Sequence, residues 1–140
     1  MFKFLKKENK DKKKIDIISK TASLLIHAAR IDENYSDKEK KIIQKTIIEL
    51  GANNNEISEI MENAEKNERN SNQLLDFTKE IKNTDENYKI KIIESLWKII
   101  YSDKQSDMYE TNLMRRLAGL MYIDNKTMGD IKDRIKKEKL

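Results

Sequence analysis

Apolar residues recur every three to four positions along most of the chain. Ile15, Ile18, Ala22, Leu25 and Ala29 form the first such stripe and predict a helix over residues 15–31. A polar break follows, Asp32-Glu33-Asn34-Tyr35. Ser36 with Glu39 three residues later has the spacing of a capping box and predicts a helix start. Ile42, Ile43, Ile47 and Leu50 carry that helix to a stop at Gly51. Ile57, Ile60, Met61 and Ala64 mark a third helix. Ser71 is a candidate N-cap for a helix over 71–83 bearing Leu74, Leu75, Phe77 and Ile81. Thr84 or Asp85 then opens a long helix with Tyr88, Ile92, Ile93, Leu96, Trp97, Ile99 and Ile100. Asp107 and Glu110 repeat the capping spacing before a helix carrying Leu113, Met114, Leu117, Ala118 and Met121. A last helix begins near Thr127 with Met128, Ile131 and Ile135. No segment alternates with the period of a strand. The expected fold is all-α, a compact bundle of six or seven helices.

The pattern also repeats. A shift of 71 residues puts Leu25 on Leu96, Ala29 on Ile100, Asp32 on Asp103 and Glu39 on Glu110. The same shift puts Ile43 on Met114, Leu50 on Met121, Ile60 on Ile131 and Ala64 on Ile135. No gap is needed through two loops, and amphipathic helices alone would not keep register there. The reading is a duplicated three-helix unit, with the 71–83 helix joining the copies. Two copies at so long a period suit a compact bundle rather than a solenoid.

Charge narrows the partners. Residues 1–14 hold seven lysines against Glu8 and Asp11, and the other residues carry 22 basic and 23 acidic side chains. The expected organisation is therefore a flexible basic arm over 1–14 and a near-neutral helical domain over 15–138. A nucleic-acid binder carries its basic face on the fold itself, so none is expected as a partner. Phe2, Phe4 and Leu5 among the arm lysines give a short segment suited to weak contact with an anionic membrane. The apolar runs are too short to span a bilayer, and no apolar stretch follows the first lysines as in a signal peptide. With no cysteine in the chain, the expectation is a cytoplasmic protein without disulfides or thiolate metal sites.

The matched acidic loops are the main candidate chemistry. Each pairs an aspartate that ends one helix with a glutamate seven residues on, in the first turn of the next: Asp32 with Glu39, and Asp103 with Glu110. Asn34, Ser36, Gln105 and Asp107 add further oxygens. Hard cations such as Ca²⁺ or Mg²⁺ want several oxygens held this closely. The same residues also fit helix capping, or an acidic patch for a partner, and all three readings stand. Neither loop is an EF-hand: position six is Asp37 or Met108 where glycine is needed, and position twelve is Ile43 or Met114 where glutamate is needed.

An apolar helix ending in Asp, a short loop, and a Glu on the following helix, twice over, resembles the TerB-like helical family named for bacterial tellurite-resistance proteins. The second copy, from Ile93 through Trp97 to Asp103, then Tyr109-Glu110 and Leu113-Met114-Arg115-Arg116-Leu117-Ala118, is similar to the family's second half. Leu75-Asp76-Phe77-Thr78 resembles its middle helix. The resemblance covers about residues 18–136. It implies a bundle of about seven helices, acidic clusters linked to metal binding, and a stress-response setting. The family usually has Gly after each aspartate, where this chain has Glu33 and Lys104. Lys104 sets a positive charge beside the second loop, which leaves Asp32 and Glu39 as the stronger cation candidates and Asp103 and Glu110 as the weaker pair.

No enzyme is expected. His27 is the single histidine, five residues before Asp32 and on a different helix face. With no cysteine either, the usual nucleophilic triads are unavailable. Gly51, Gly119 and Gly129 are scattered and build no phosphate loop. Trp97 follows the apolar stripe and is expected in the core, and one of Arg115 and Arg116 is expected to pair with an acid. The sequence reads as an adaptor-like module with an unidentified protein partner. One version carries a Ca²⁺ or Mg²⁺ site. The other is metal-free and tethered by the basic arm.

Overall fold

The computed structural model describes residues 2–30, 35–70, 74–102 and 108–138, with side chains from residue 13 onward except 108–111. Among the described residues there are seven α-helices and no strand: α1 (Phe2–Ala29), α2 (Asp37–Glu49), α3 (Ile57–Asn70), α4 (Leu75–Thr78), α5 (Glu86–Ser102), α6 (Met108–Leu120) and α7 (Asn125–Glu138). A single 3₁₀ turn, Ile81–Asn83, lies between α4 and α5. The all-α bundle read from the apolar periodicity is the fold observed.

Two helices form the middle of the molecule. Six consecutive residues of α1, from Thr21 to Ile26, are buried, as are Ile92, Ile93, Leu96, Trp97, Ile99 and Ile100 of α5. Helices covered on so many sides must be central. α1 packs against α2, α3, α4 and α5, and α5 packs against α1, α2 and α7. Several hydroxyl side chains inside this core are bonded. The Ser23 hydroxyl donates to the Ala64 carbonyl across α1 and α3 at 3.0 Å. Thr21 and Tyr88 share a hydroxyl–hydroxyl bond of 3.0 Å between α1 and α5, and Thr46 and Ser95 share one between α2 and α5. Such pairings are what make burial of a hydroxyl tolerable.

Three boundaries differ from the sequence pattern. The pattern starts the first helix at Ile15, behind an arm over 1–14, but the backbone is helical from Phe2. No glycine or proline precedes Gly51, and lysine is a good helix former, so nothing there stops α1. The helix expected over 71–83 is a four-residue helix followed by the 3₁₀ turn. Leu74 heads α4 without a side-chain cap. The Thr78 and Thr84 hydroxyls turn back onto the Leu74 and Ile81 carbonyls at 3.2 and 2.6 Å, bonds that compete with regular helix. Burial of Leu74, Phe77 and Ile81 then fixes the segment against α1 and α6. Finally, α7 begins at Asn125, because the Asp124 carboxylate accepts the Thr127 N–H at 2.7 Å.

Candidate functional site

The first acidic loop sits where α1 hands over to α2. Ser36 adopts an extended backbone (φ −83°, ψ 162°) ahead of α2. Its hydroxyl accepts the Glu39 N–H at 3.2 Å, and Glu39 Oε1 accepts both the Ser36 N–H and the Ser36 hydroxyl at 2.9 Å. The capping box expected from the spacing is therefore formed in full. Glu39 is 1% exposed. A buried carboxylate needs partners of this kind, and the positive end of the α2 dipole adds to them.

Charged residues of α1, α2 and α3 surround this corner. Glu68 on α3 accepts from Arg30 at 2.7 Å and lies 3.4 Å from His27 Nδ1. His27 also packs against the Phe77 ring, 6.2 Å between centroids. This histidine is a bonded structural residue rather than an open ligand. The Arg30 guanidinium lies 5.4 Å over the Tyr35 ring, and Lys40 reaches Glu65 at 3.7 Å. The Tyr35 hydroxyl is buried with no hydrogen-bond partner among the described residues. Burial and then the nearby Glu65 charge raise its pKa well above the usual phenol range. Among the described residues, Glu39, Glu65 and Glu68 thus each have a cation or a backbone donor beside them.

The family model for tellurite resistance protein TerB matches residues 19–133, from the buried half of α1 to α7. The chain belongs to the TerB family. No curated protein and no solved structure matches the chain.

For a TerB-family chain the acidic loops are the natural place to test for a metal. Asp32 and Asp103 lie outside the described residues. Glu110 is on α6, whose backbone is described there, but its side chain is not. Of the four candidate ligands only Glu39 can be placed, and its Oε1 accepts from the Ser36 N–H and hydroxyl. Among the described residues no three His, Cys, Asp or Glu side chains approach closely enough to hold an ion. The described part of the loops therefore fits a cap and does not by itself fit a cation site.

The remaining candidates divide. Trp97 is in the core, stacked on Tyr101 with centroids 5.9 Å apart, yet its indole N–H has no acceptor among the described residues. Arg115 and Arg116 are both exposed, and among the described residues neither forms an ion pair. Arg115 shares a cleft with Lys132 of α7. The side chains of Phe2, Phe4 and Leu5 lie outside the described ones. No helix among the described residues is long and apolar enough to cross a membrane. Sequence reasoning missed Asp124, whose role as a cap was signalled only by its place three residues before Thr127.

Proposed function

We propose that this TerB-family chain is a non-catalytic, adaptor-like interaction module whose acidic loops act as helix caps. The observation that carries this reading is Glu39, whose Oε1 caps α2 through Ser36 in a complete capping box. The reading includes a duplicated helical unit. In its favour, α2 and α6 both have 13 residues and begin 71 positions apart. The basic N-terminal segment serves as a tether to an anionic surface or partner. In support, continuing α1 back to Phe2 sets positions 3, 7, 10 and 14, all lysine, along one side of a helix.

The test is a thermal melt of the chelator-treated protein with Ca²⁺, Mg²⁺, Mn²⁺ or Zn²⁺ added. An ion at 100 times its dissociation constant adds about 2.7 kcal/mol to stability, a shift of several degrees. The expected result is no shift with any of the four. A shift that disappears in the Asp32→Asn, Glu39→Gln variant overturns the cap-only reading and makes the loops a cation site. For the tether, full-length protein should sediment with anionic vesicles, and protein lacking residues 1–14 should not.

A further inference from the structure

A groove of about 590 Å³ opens between α6 and α7. Its inner wall is the Trp97 ring with Met114 and Met128, and its rim is Arg115 and Lys132. The Lys132 ammonium lies 5.3 Å over the indole, an attraction of cation to ring face. No ion pair among the described residues neutralises Arg115 or Lys132. Asp130 and Asp133 of α7 instead line a separate shallow recess with Arg134. Among the described side chains the groove is thus apolar at its base and positive at its edge.

Two observations mark the space as something other than loose packing. Gly129 lies in the first turns of α7, where glycine is a poor helix former, and a Cβ added there would meet nothing within 4 Å. Neither internal packing nor a positive φ requires glycine at that position; close approach from outside would. Secondly, the wall differs from the positions 71 residues earlier. Ala118 stands where Ile47 does and Lys132 where Met61 does, and both earlier residues are buried core. The second half has thus reduced one wall position to alanine and exchanged a core methionine for a cation.

We propose that the α6–α7 groove docks an acidic amphipathic helix of a partner protein. A helix can nest between two others, place one apolar anchor against Trp97 and the two methionines, and pass close to the backbone at Gly129. Methionines adapt to the anchor's shape. Carboxylates one turn to either side of the anchor meet Arg115 and Lys132, which fixes the sign of charge the partner must carry. The proposal deepens the interaction-module reading and rests on it, but does not depend on how the acidic loops are used.

Trp97 is the only tryptophan in the chain, so tryptophan emission comes from the wall of this groove. The probe is a synthetic helical peptide with a leucine stripe flanked by glutamates, titrated into the full-length protein. Its counterpart has lysine for every glutamate, and octanoate serves as a small apolar anion. The expected result is a saturable change in Trp97 emission with the glutamate peptide only. Binding should weaken at least tenfold in the Arg115→Glu, Lys132→Glu variant. Gly129→Leu should abolish binding while its thermal melt stays at or above that of the parent, since it fills open space and favours the helix. No emission change, equal affinity in either variant, or equal binding of the lysine peptide overturns the docking site and leaves the module with its partner face elsewhere. Octanoate binding as tightly as the peptide also overturns it, in favour of a small-anion pocket.

Discussion

Gly51 and Tyr122, 71 positions apart, both close a helix in the left-handed backbone region, with φ of 117° and 57°. The hydrogen bonds around them also correspond. Ala52 N–H donates to the Ile47 carbonyl and Ile123 N–H to the Ala118 carbonyl, each at 2.9 Å. These are the long bonds of a Schellman ending, which caps the last carbonyls of α2 and of α6. Glycine takes this conformation freely, but a tyrosine there is strained. Tyr122 is also mostly exposed, with the Lys82 ammonium 6.0 Å from its ring centroid. Tyr122→Gly should therefore stabilise the fold by up to about 1 kcal/mol. Gly51→Ala should destabilise it by about 1–3 kcal/mol, because alanine is strained at a φ of 117°; the flexible end of the Lys14 side chain, 2.7 Å from the new Cβ, can move aside. Urea unfolding of both variants checks the opposite signs.

Glu39 separates capping from metal binding by a conservative change. Glutamine fills the third position of a capping box as glutamate does. Glu39→Gln should stay within about 0.5 kcal/mol of the parent, whereas Glu39→Ala should lose about 1–2 kcal/mol by leaving the Ser36 N–H without its acceptor. Chemical denaturation of the two variants, with and without divalent cation, reads the difference. A glutamine variant as damaged as the alanine one would mean that the carboxylate's charge, not its capping geometry, is what the corner needs.

Much of this was legible before any coordinates. Ser36 and Glu39 announce α2 through spacing alone, and Leu25, Ile43 and Leu96 are fully buried as their periodicity predicts. Helix content and core positions are local properties of pattern, so they survive translation into three dimensions. The α4 region was illegible because its turn chemistry comes from Thr78 and Thr84 hydroxyls competing for backbone carbonyls. The pairing of Glu68 with Arg30 and His27 was illegible because it joins α1 to α3 across 38 or 41 positions. The groove beside Trp97 could not be read because an apolar residue on a helix stripe gives no sign of which neighbours are too small to cover it.

The buried Thr46–Ser95 hydroxyl pair ties α2 to α5. Thr46→Val keeps the shape but leaves the Ser95 hydroxyl, in a buried position, without that partner, at a cost of about 1–3 kcal/mol. Removing both hydroxyls, in Thr46→Val, Ser95→Ala, should cost less than the sum of the single changes. A coupling of about 1 kcal/mol in a double-mutant cycle is expected. Additive effects would mean that each hydroxyl is satisfied independently, Thr46 by the Ile42 carbonyl at 2.8 Å.

Asp124 predicts behaviour in acid. Its carboxylate accepts the Thr127 N–H, and that bond holds its pKa below the ordinary value. A depressed carboxylate stabilises the fold above its unfolded pKa and loses that contribution as pH falls through its folded pKa. The melting temperature should therefore fall more steeply below pH 4 in the parent than in Asp124→Asn, which caps α7 without titrating. Parallel acid limbs in the two proteins would remove Asp124 from the pH dependence.

The alkaline limb belongs to the tyrosines. Burial raises the pKa of Tyr88, and raises that of Tyr35 further with help from the Glu65 charge. A phenol raised in the fold stays neutral after the unfolded chain has begun to ionise. Its stabilisation is complete below the ordinary phenol value of 10.0, and it is lost as pH rises beyond that point. Tyr35 and Tyr88 then part company at neutral pH. The Tyr88 hydroxyl bonds Thr21, so Tyr88→Phe should cost about 1 kcal/mol there. The Tyr35 hydroxyl is buried with no hydrogen-bond partner among the described residues, so Tyr35→Phe should be neutral or stabilising at pH 7. It should also flatten the loss of stability between pH 10 and 12. Melts across that range for the parent and both variants, followed by circular dichroism, check each sign. A Tyr35→Phe protein that is less stable at pH 7 would show that the hydroxyl has an acceptor after all, with the Glu65 carboxylate the nearest candidate.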